Sequence, residues 1–306
     1  MQEAFLVDVE AAKPVPREQY RKPLVFHDGR LVKRPVPMAA LAMFLWLPAG
    51  VFLALVRLLI LECLPMELAA PLIALAGLNY RVKGAPPLPL PGGGSSKQGI
   101  LFVSSHRSLI DPIVTYGGLR RKVRGLSYSA SPFSELISPV KLVNLTRDRD
   151  QDKRLMEGLL ARGEDLFLTP EGTTGREPYL LRFSSLFAEL TDEIVPVGMK
   201  LKVSMFHGTS ARGFKALDAL FMGMNPWLAY EMVILEKLRK DETVGGGAKT
   251  GFEVASIVQK KVADALGGLT CTQLTRRDKY MALAGNDGTV PGSAVKTAHG
   301  GGGSRK

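Results

Sequence analysis

His106 and Asp111 are the side chains in this sequence best suited to move a proton. They stand in the run Ser104-Ser105-His106-Arg107-Ser108-Leu109-Ile110-Asp111-Pro112, directly after the apolar stretch Ile100-Leu101-Phe102-Val103. On a regular helix an i, i+5 pair lies roughly 140° apart, so helical geometry would turn the two away from each other. Proline offers another arrangement. A residue before proline avoids the right-handed helical region, and aspartate followed by proline fits an N-cap and the first helical position. The spacing therefore predicts His106 on a strand-to-helix turn and Asp111 as the cap of the helix that follows. The carboxylate would hold one imidazole nitrogen and leave the other for a substrate hydroxyl, as a general base and its orienter require. The same spacing equally fits a plain turn with a solvated histidine and a capping aspartate.

Three further segments repeat the pattern of a short apolar run followed by polar residues. Val143-Asn144-Leu145-Thr146-Arg147-Asp148-Arg149 sets two arginines at i, i+2. Leu166-Phe167-Leu168 leads into Thr169-Pro170-Glu171-Gly172-Thr173-Thr174-Gly175-Arg176, and Ile194-Val195-Pro196-Val197-Gly198 is a fourth run. Strands that each end in polar residues are how α/β proteins gather a site at the carboxyl edge of a sheet. By spacing alone, Arg147 and Arg149 read most simply as a solvated face paired with Asp148, Asp150 and Asp152. Ser105 and Ser108 beside His106 raise a Ser-His-Asp hydrolase as a rival, but no Gly-x-Ser-x-Gly elbow accompanies them.

In order and spacing the four blocks resemble the glycerolipid acyltransferase family: His106-x4-Asp111, Leu145-Thr146-Arg147, Pro170-Glu171-Gly172-Thr173 and Val195-Pro196-Val197. A wider likeness, over about residues 20 to 291, is to the land-plant glycerol-3-phosphate acyltransferases of cutin and suberin synthesis. It is carried by Phe26 to Pro35, Leu180 to Asp192 and Arg277-Asp278-Lys279-Tyr280. Two departures stand out. The second block has Val143 to Leu145 where much of the superfamily has phenylalanine. The plant group usually carries an upstream phosphatase-like domain, which this sequence does not include.

The resemblance implies a fatty acyl transfer from acyl-CoA to a hydroxyl of glycerol-3-phosphate, giving lysophosphatidic acid, with the sn-2 hydroxyl the plant group's preference. His106 would be the base and Asp111 its orienter. Arg147 and Arg149 become ligands of the substrate phosphate, since arginine offers fork-shaped, charge-assisted donors. Glu171, Gly172 and Thr173 form the substrate-binding turn: the carboxylate accepts from a glycerol hydroxyl, the glycine admits close backbone approach, and the threonine adds a hydroxyl. Arg176 is a further phosphate candidate, and Pro196 is expected to shape the acyl or CoA pocket. Acyl-CoA serves as co-substrate; no cofactor and no metal are expected. The alternatives are acylation of lysophosphatidic acid, or a catalytically silent fragment that binds membrane or phospholipid.

Composition bounds the setting. The chain has 306 residues, a formal charge of +11 and a pI near 9.7, a balance that suits phosphates or an anionic membrane face. Interleaved aromatics are lacking, which argues against nucleic acid as a partner. Cys63 and Cys271 have no paired spacing, so neither a disulfide framework nor a zinc site is expected. Residues 1–20 have no signal-peptide form. From Met38 to Val56 the chain carries no charge, which approaches the length of a membrane span. Leu64 to Leu78 is a second apolar segment, broken by Pro65, Glu67 and Pro71. Seven Lys or Arg lie between Lys13 and Arg34, as beside an anionic lipid surface.

The expected organisation follows. Residues 1–35 are a basic segment resembling the remnant of an upstream domain. Residues 36–84 are membrane-associated, as one span or a helical hairpin, with the endoplasmic reticulum the compartment implied. Residues 85–98 form a Pro/Gly linker, 99–284 the acyltransferase domain and 285–306 a disordered tail. Strand and helix alternate through that domain, which predicts an α/β fold with a mostly parallel central sheet flanked by helices. The run Arg120-Arg121-Lys122-x-Arg124 is open between CoA phosphates, lipid heads and a solvated turn.

Overall fold

Five apolar runs that the sequence marks as strands assemble side by side, the central Leu101–Ser104 and Asp165–Leu168 being buried on both faces, as inner strands of a parallel sheet are. The computed structural model describes residues 36–86, 98–128, 138, 140–146, 148–176, 178–209 and 217–279. The elements are α1 (Pro37–Cys63), α2 (Met66–Leu75), β1 (Leu78–Lys83), β2 (Leu101–Ser104), α3 (Asp111–Leu119), β3 (Val123–Ser127), β4 (Leu142–Asn144) and α4 (Arg149–Ala161). They continue as β5 (Asp165–Leu168), β6 (Tyr179–Leu180), β7 (Ile194–Val203), α5 (Leu217–Gly223), β8 (Leu228–Ile234), α6 (Gly251–Ala265) and β9 (Thr270–Cys271). The expected segment 1–35, residues 87–97 of the linker, the tail 285–306 and Arg147 lie outside the described residues.

The main sheet has seven strands in the order β1-β8-β7-β2-β5-β3-β4, and β6 pairs with β9 in a small second sheet. All neighbours in the main sheet are parallel except β7 and β8. The mostly parallel α/β sheet is therefore what the alternation predicts, with β8 and β1 reversed at one side. One face packs on α4, α6 and the 3-10 turn Ser185–Glu189 through Met156, Leu160, Phe187 and Val258. The other packs on α2, α3 and α5 through Ile73, Val114, Phe102 and Met222. The C-terminal ends of β2, β5 and β4 point the same way, so residues 104–111, 169–176, and 145, 146, 148 and 149 converge at one edge.

One boundary shifts. Residues 78–83 fall within the stretch expected to be membrane-associated, yet they form β1, paired with β8 from Leu78↔Leu228 to Lys83↔Val233. The alternation of Tyr80 and Val82 with Asn79, Arg81 and Lys83 gives that strand one inward face, a signal overridden in the sequence by the apolar run before it.

Helix α1 is long and apolar enough to cross a membrane by length and composition. Its buried residues are Met43, Gly50, Ala54 and Arg57, a narrow stripe. Through that stripe it docks on the α/β body. Trp46 Nε1 donates to the Met224 carbonyl at 2.7 Å, and Arg57 donates to the carbonyls of Gly223 and Asn225, both at 2.7 Å, and of Ala76. An arginine inside an apolar helix is costly in lipid; here protein carbonyls hold it. Met38, Leu45, Phe52, Leu59 and, on α2, Leu72 and Leu75 face outward.

Candidate active site

His106 and Asp111 meet. His106 Nδ1 lies 2.9 Å from Asp111 Oδ2, with the aspartate fully buried and the imidazole 18% exposed. The i, i+5 pair closes because the chain wraps round the carboxylate between β2 and α3. Asp111 also accepts from the backbone N–H of Arg107 at 2.6 Å and of Ser108 at 3.1 Å. The cap differs by one residue from expectation. Ile110 is the N-cap and Asp111 the first helical residue, so its carboxylate bonds the turn before the helix instead of the helix's own first amides. With Nδ1–H donated to Asp111, Nε2 carries the lone pair, as a base for a substrate hydroxyl needs.

A third residue belongs to this network and sequence reasoning missed it. Tyr230, fully buried on β8, places its hydroxyl 3.1 Å from Asp111 Oδ1 and against Ser108 Oγ. Burial, and then the Asp111 charge, push its phenol well above the usual tyrosine range, so it stays a neutral donor. Ser108 is thereby committed to Asp111 and Tyr230, and Ser105 Oγ accepts from the Met199 N–H at 3.2 Å. Both serines are fully buried, and the hydrogen bonds described for their hydroxyls go to groups other than His106.

In the Pro-Glu-Gly-Thr turn, Glu171 bonds the backbone as well as bordering a cavity. Its carboxylate is buried, with Oε1 accepting from the His106 N–H at 2.9 Å and Oε2 from the Leu181 N–H at 3.0 Å. Burial raises its pKa, opposed by those two amides and then by the charges of Arg107 and His106. Glu171 thus ties the third block to the first and fixes the peptide that carries His106. The turn is closed by Gly172 at φ +66, a left-handed conformation that favours glycine, with only Arg276 Cδ, 3.9 Å from a built Cβ, nearby. Thr173 is buried.

Beside this turn lies a cavity of about 380 Å³ at the end of β5, lined by Glu171, Gly172, Arg149, Arg182 and Arg276. Arg149 thus lines the same cavity as Glu171 and Gly172, and its ion-pair partner is Glu189 at 2.6 Å, not the neighbouring aspartates. Asp148 caps α4 through the amides of Asp150 and Gln151, and buried Asp152 accepts from Thr146 N–H at 2.7 Å. Arg182 and Arg276 were not singled out by the sequence as binding residues. They reach the cavity through backbone pairing of Arg182 N–H with the Leu274 carbonyl, 92 residues on.

Arg176 lies elsewhere. It lines a second cavity, about 550 Å³, on the β7 side of the dyad together with Arg107, Lys200, Lys202 and His207. His207 is lowered to about 4, by burial first and then by Arg176, so it is neutral near pH 7. Pro196 is a buried position inside β7, level with Val103 of β2, and it lines neither cavity. In the basic run after α3, Arg121 bridges Asp165 at 2.5 Å and Arg124 bridges Glu164. Those pairs belong to the opposite ends of the strands from His106. Among the described residues, no three His, Cys, Asp or Glu side chains form a metal-binding group.

This chain carries an acyltransferase-family domain: the family model described as Acyltransferase matches residues 80–200, which contain all four blocks. Its similar proteins are plant glycerol-3-phosphate acyltransferases at 43–50% identity over most of the chain. It is 47% identical over 302 residues to glycerol-3-phosphate acyltransferase RAM2 of Petunia hybrida, covering 97% of this chain and 62% of that protein. It is 50% identical over 278 residues to glycerol-3-phosphate acyltransferase 1 of Arabidopsis thaliana, covering 90% and 46%. The chain thus spans about half to three-fifths of the length of these curated relatives. Among solved structures it is similar to the 1-acyl-sn-glycerophosphate acyltransferase PlsC of Thermotoga maritima, at 16% identity and TM-score 0.42 over 65% of this chain and 75% of that one.

Proposed function

We propose that this chain transfers a fatty acyl group from acyl-CoA to a hydroxyl of glycerol-3-phosphate, the sn-2 hydroxyl by family resemblance, to give lysophosphatidic acid. The observation that carries the reading is the 2.9 Å contact of His106 with a buried carboxylate at the carboxyl edge of the sheet. His106 Nε2 takes the hydroxyl proton as that oxygen attacks the thioester carbonyl. The new C–O bond forms, the C–S bond breaks, and the proton passes from His106 to the departing thiolate. Asp111 holds the ring and stabilises the imidazolium. No protein nucleophile is needed, because the thioester is already activated.

The acceptor fits the cavity at the end of β5. Arg149, Arg182 and Arg276 supply cations for its phosphate, and Glu171 and Gly172 form its wall toward His106. Arg147, by its place in the second block, is assigned to the same phosphate. The apolar outer faces of α1 and α2 make a membrane the natural surface for an enzyme with a lipid product, the endoplasmic reticulum being the compartment the resemblance implies. Because Trp46 and Arg57 dock α1 along the catalytic body, the reading favours a hairpin lying in one leaflet over a helix that leaves the domain to cross.

The test is incubation of the purified chain in detergent with labelled glycerol-3-phosphate and acyl-CoA, with positional analysis of the product. Labelled lysophosphatidic acid is expected. Acylation of lysophosphatidic acid in preference to glycerol-3-phosphate, or no transfer at all, overturns the reading.

A further inference from the structure

We propose that the cavity on the β7 side of the dyad holds the phosphate-bearing nucleotide end of the acyl donor, with Lys200, Lys202, Arg176 and Trp227 as its binding residues. The inference rests on the acyl-CoA reading above and adds to it the direction from which the donor reaches His106.

Charge is the first argument. The cavity is lined by Arg107, Arg176, Lys200 and Lys202, and among the described residues its lining holds no carboxylate. Lys200 and Lys202 are exposed and alternate along β7, so both project from one face of the sheet about 7 Å apart. That is the spacing of a cradle for more than one phosphate. The carboxylate across the strand pair from Lys200 is Glu231, which bonds Lys83 at 2.7 Å and stays outside the cavity.

Shape is the second. At about 550 Å³ the cavity is larger than the one at the end of β5 and within the usual range for a cofactor-sized ligand. Trp227 borders it 45% exposed, with its backbone fixed by Ser204, whose hydroxyl donates to the Trp227 carbonyl at 2.7 Å. An exposed indole on a held backbone beside paired cations is a platform for an aromatic base whose phosphates lie alongside. Leu266 and Leu269 complete an apolar wall that glycerol-3-phosphate has no use for.

Continuity is the third. Gly175 lines the cavity and donates its N–H to the His106 carbonyl at 2.7 Å, and Arg107 follows His106 in the chain. Arg107 is pinned by donation from Nε to the Met199 carbonyl at 3.2 Å and from Nη1 to the Gly175 carbonyl at 3.1 Å. The cavity wall is therefore the peptide next to the base. A thioester arm leaving the nucleotide has a short path to it.

The experiment compares the full chain in detergent with its Lys200→Glu/Lys202→Glu variant. Calorimetry with free coenzyme A should show a dissociation constant raised by about tenfold or more, as the loss of charge-assisted contacts predicts. In turnover, the KM for acyl-CoA should rise likewise, and the penalty should vanish with an acyl N-acetylcysteamine thioester, which has the thioester and lacks the nucleotide. A parent chain that does not bind coenzyme A, or a variant that binds it equally well, overturns the assignment. So does an equal penalty on both donors, which would report damage to the scaffold. Loss of binding to anionic vesicles with coenzyme A affinity intact would assign the lysines to lipid headgroups. A parent that binds coenzyme A through these lysines yet transfers no acyl group from either donor would instead overturn the proposed reaction.

Discussion

Two cavities flank one histidine, and they are built from different cations. On the β5 side the positive groups are arginines, Arg149, Arg182 and Arg276, set against Glu171 and a glycine turn. On the β7 side two lysines and the exposed Arg176 stand beside an indole and leucines, with Arg107 bonded to backbone carbonyls and no carboxylate among the described lining residues. Arginine forks suit one small phosphate held in fixed orientation, whereas point charges on flexible stems tolerate a larger polyphosphate in several poses. The His106 peptide joins the two sides, its N–H bonded to Glu171 of one and its carbonyl to Gly175 of the other. A histidine held at both ends of its own peptide is fixed relative to both proposed substrates. That is the positional control an acyl transfer between two bound molecules needs.

The comparison yields predictions of decreasing size. His106→Ala should lower turnover by about 10²- to 10⁴-fold with either substrate varied, since the lost general base serves both sides. Near-parental turnover in the folded variant would end the dyad mechanism. Next come the arginines. Replacing Arg182 or Arg276 by Ala should raise the glycerol-3-phosphate KM by about 10- to 150-fold, as loss of a charge-assisted hydrogen bond predicts. The acyl-CoA KM should barely move. Arg149→Ala should act in the same direction, with its Glu189 partner left behind. An unchanged glycerol-3-phosphate KM in all three would assign the phosphate to the other cavity and dissolve the distinction.

Smaller effects test the shared centre. Tyr230→Phe removes one hydrogen bond to Asp111 while keeping the ring, so kcat should fall by about fivefold to tenfold, the worth of roughly 1–1.4 kcal/mol, with both KM values unmoved. A change in either KM would show that the tyrosine shapes a cavity and not the dyad. Gly172→Ala should cost about 1–2 kcal/mol of stability, because the turn holds φ +66 while the space beyond is open. Thermal unfolding measures it, and an unchanged midpoint would mean the turn relaxes.

What the sequence determined by itself was local. The run Ile100 to Val103 followed by His106, Asp111 and Pro112 announced a strand, a turn and a helix, because proline chemistry and capping act over a few residues. The apolar run Leu166 to Leu168 marked β5, and the uncharged stretch from Met38 to Val56 marked the long apolar α1. The sequence also predicted the mostly parallel sheet, since alternating strands and helices have few other ways to bury their faces. The tertiary structure decided what crosses long distances. Tyr230 meets Asp111 from 119 residues away, and within its strand it looks like any other inward aromatic. That Glu171 also accepts the backbone amides of His106 and Leu181 is visible only in the folded chain. Arg57 looks like an interruption of an apolar helix, yet packing turns it into a clamp on carbonyls up to 168 residues away. Hydrogen-bond demand is written into every residue; which group satisfies it is settled only when the layers close.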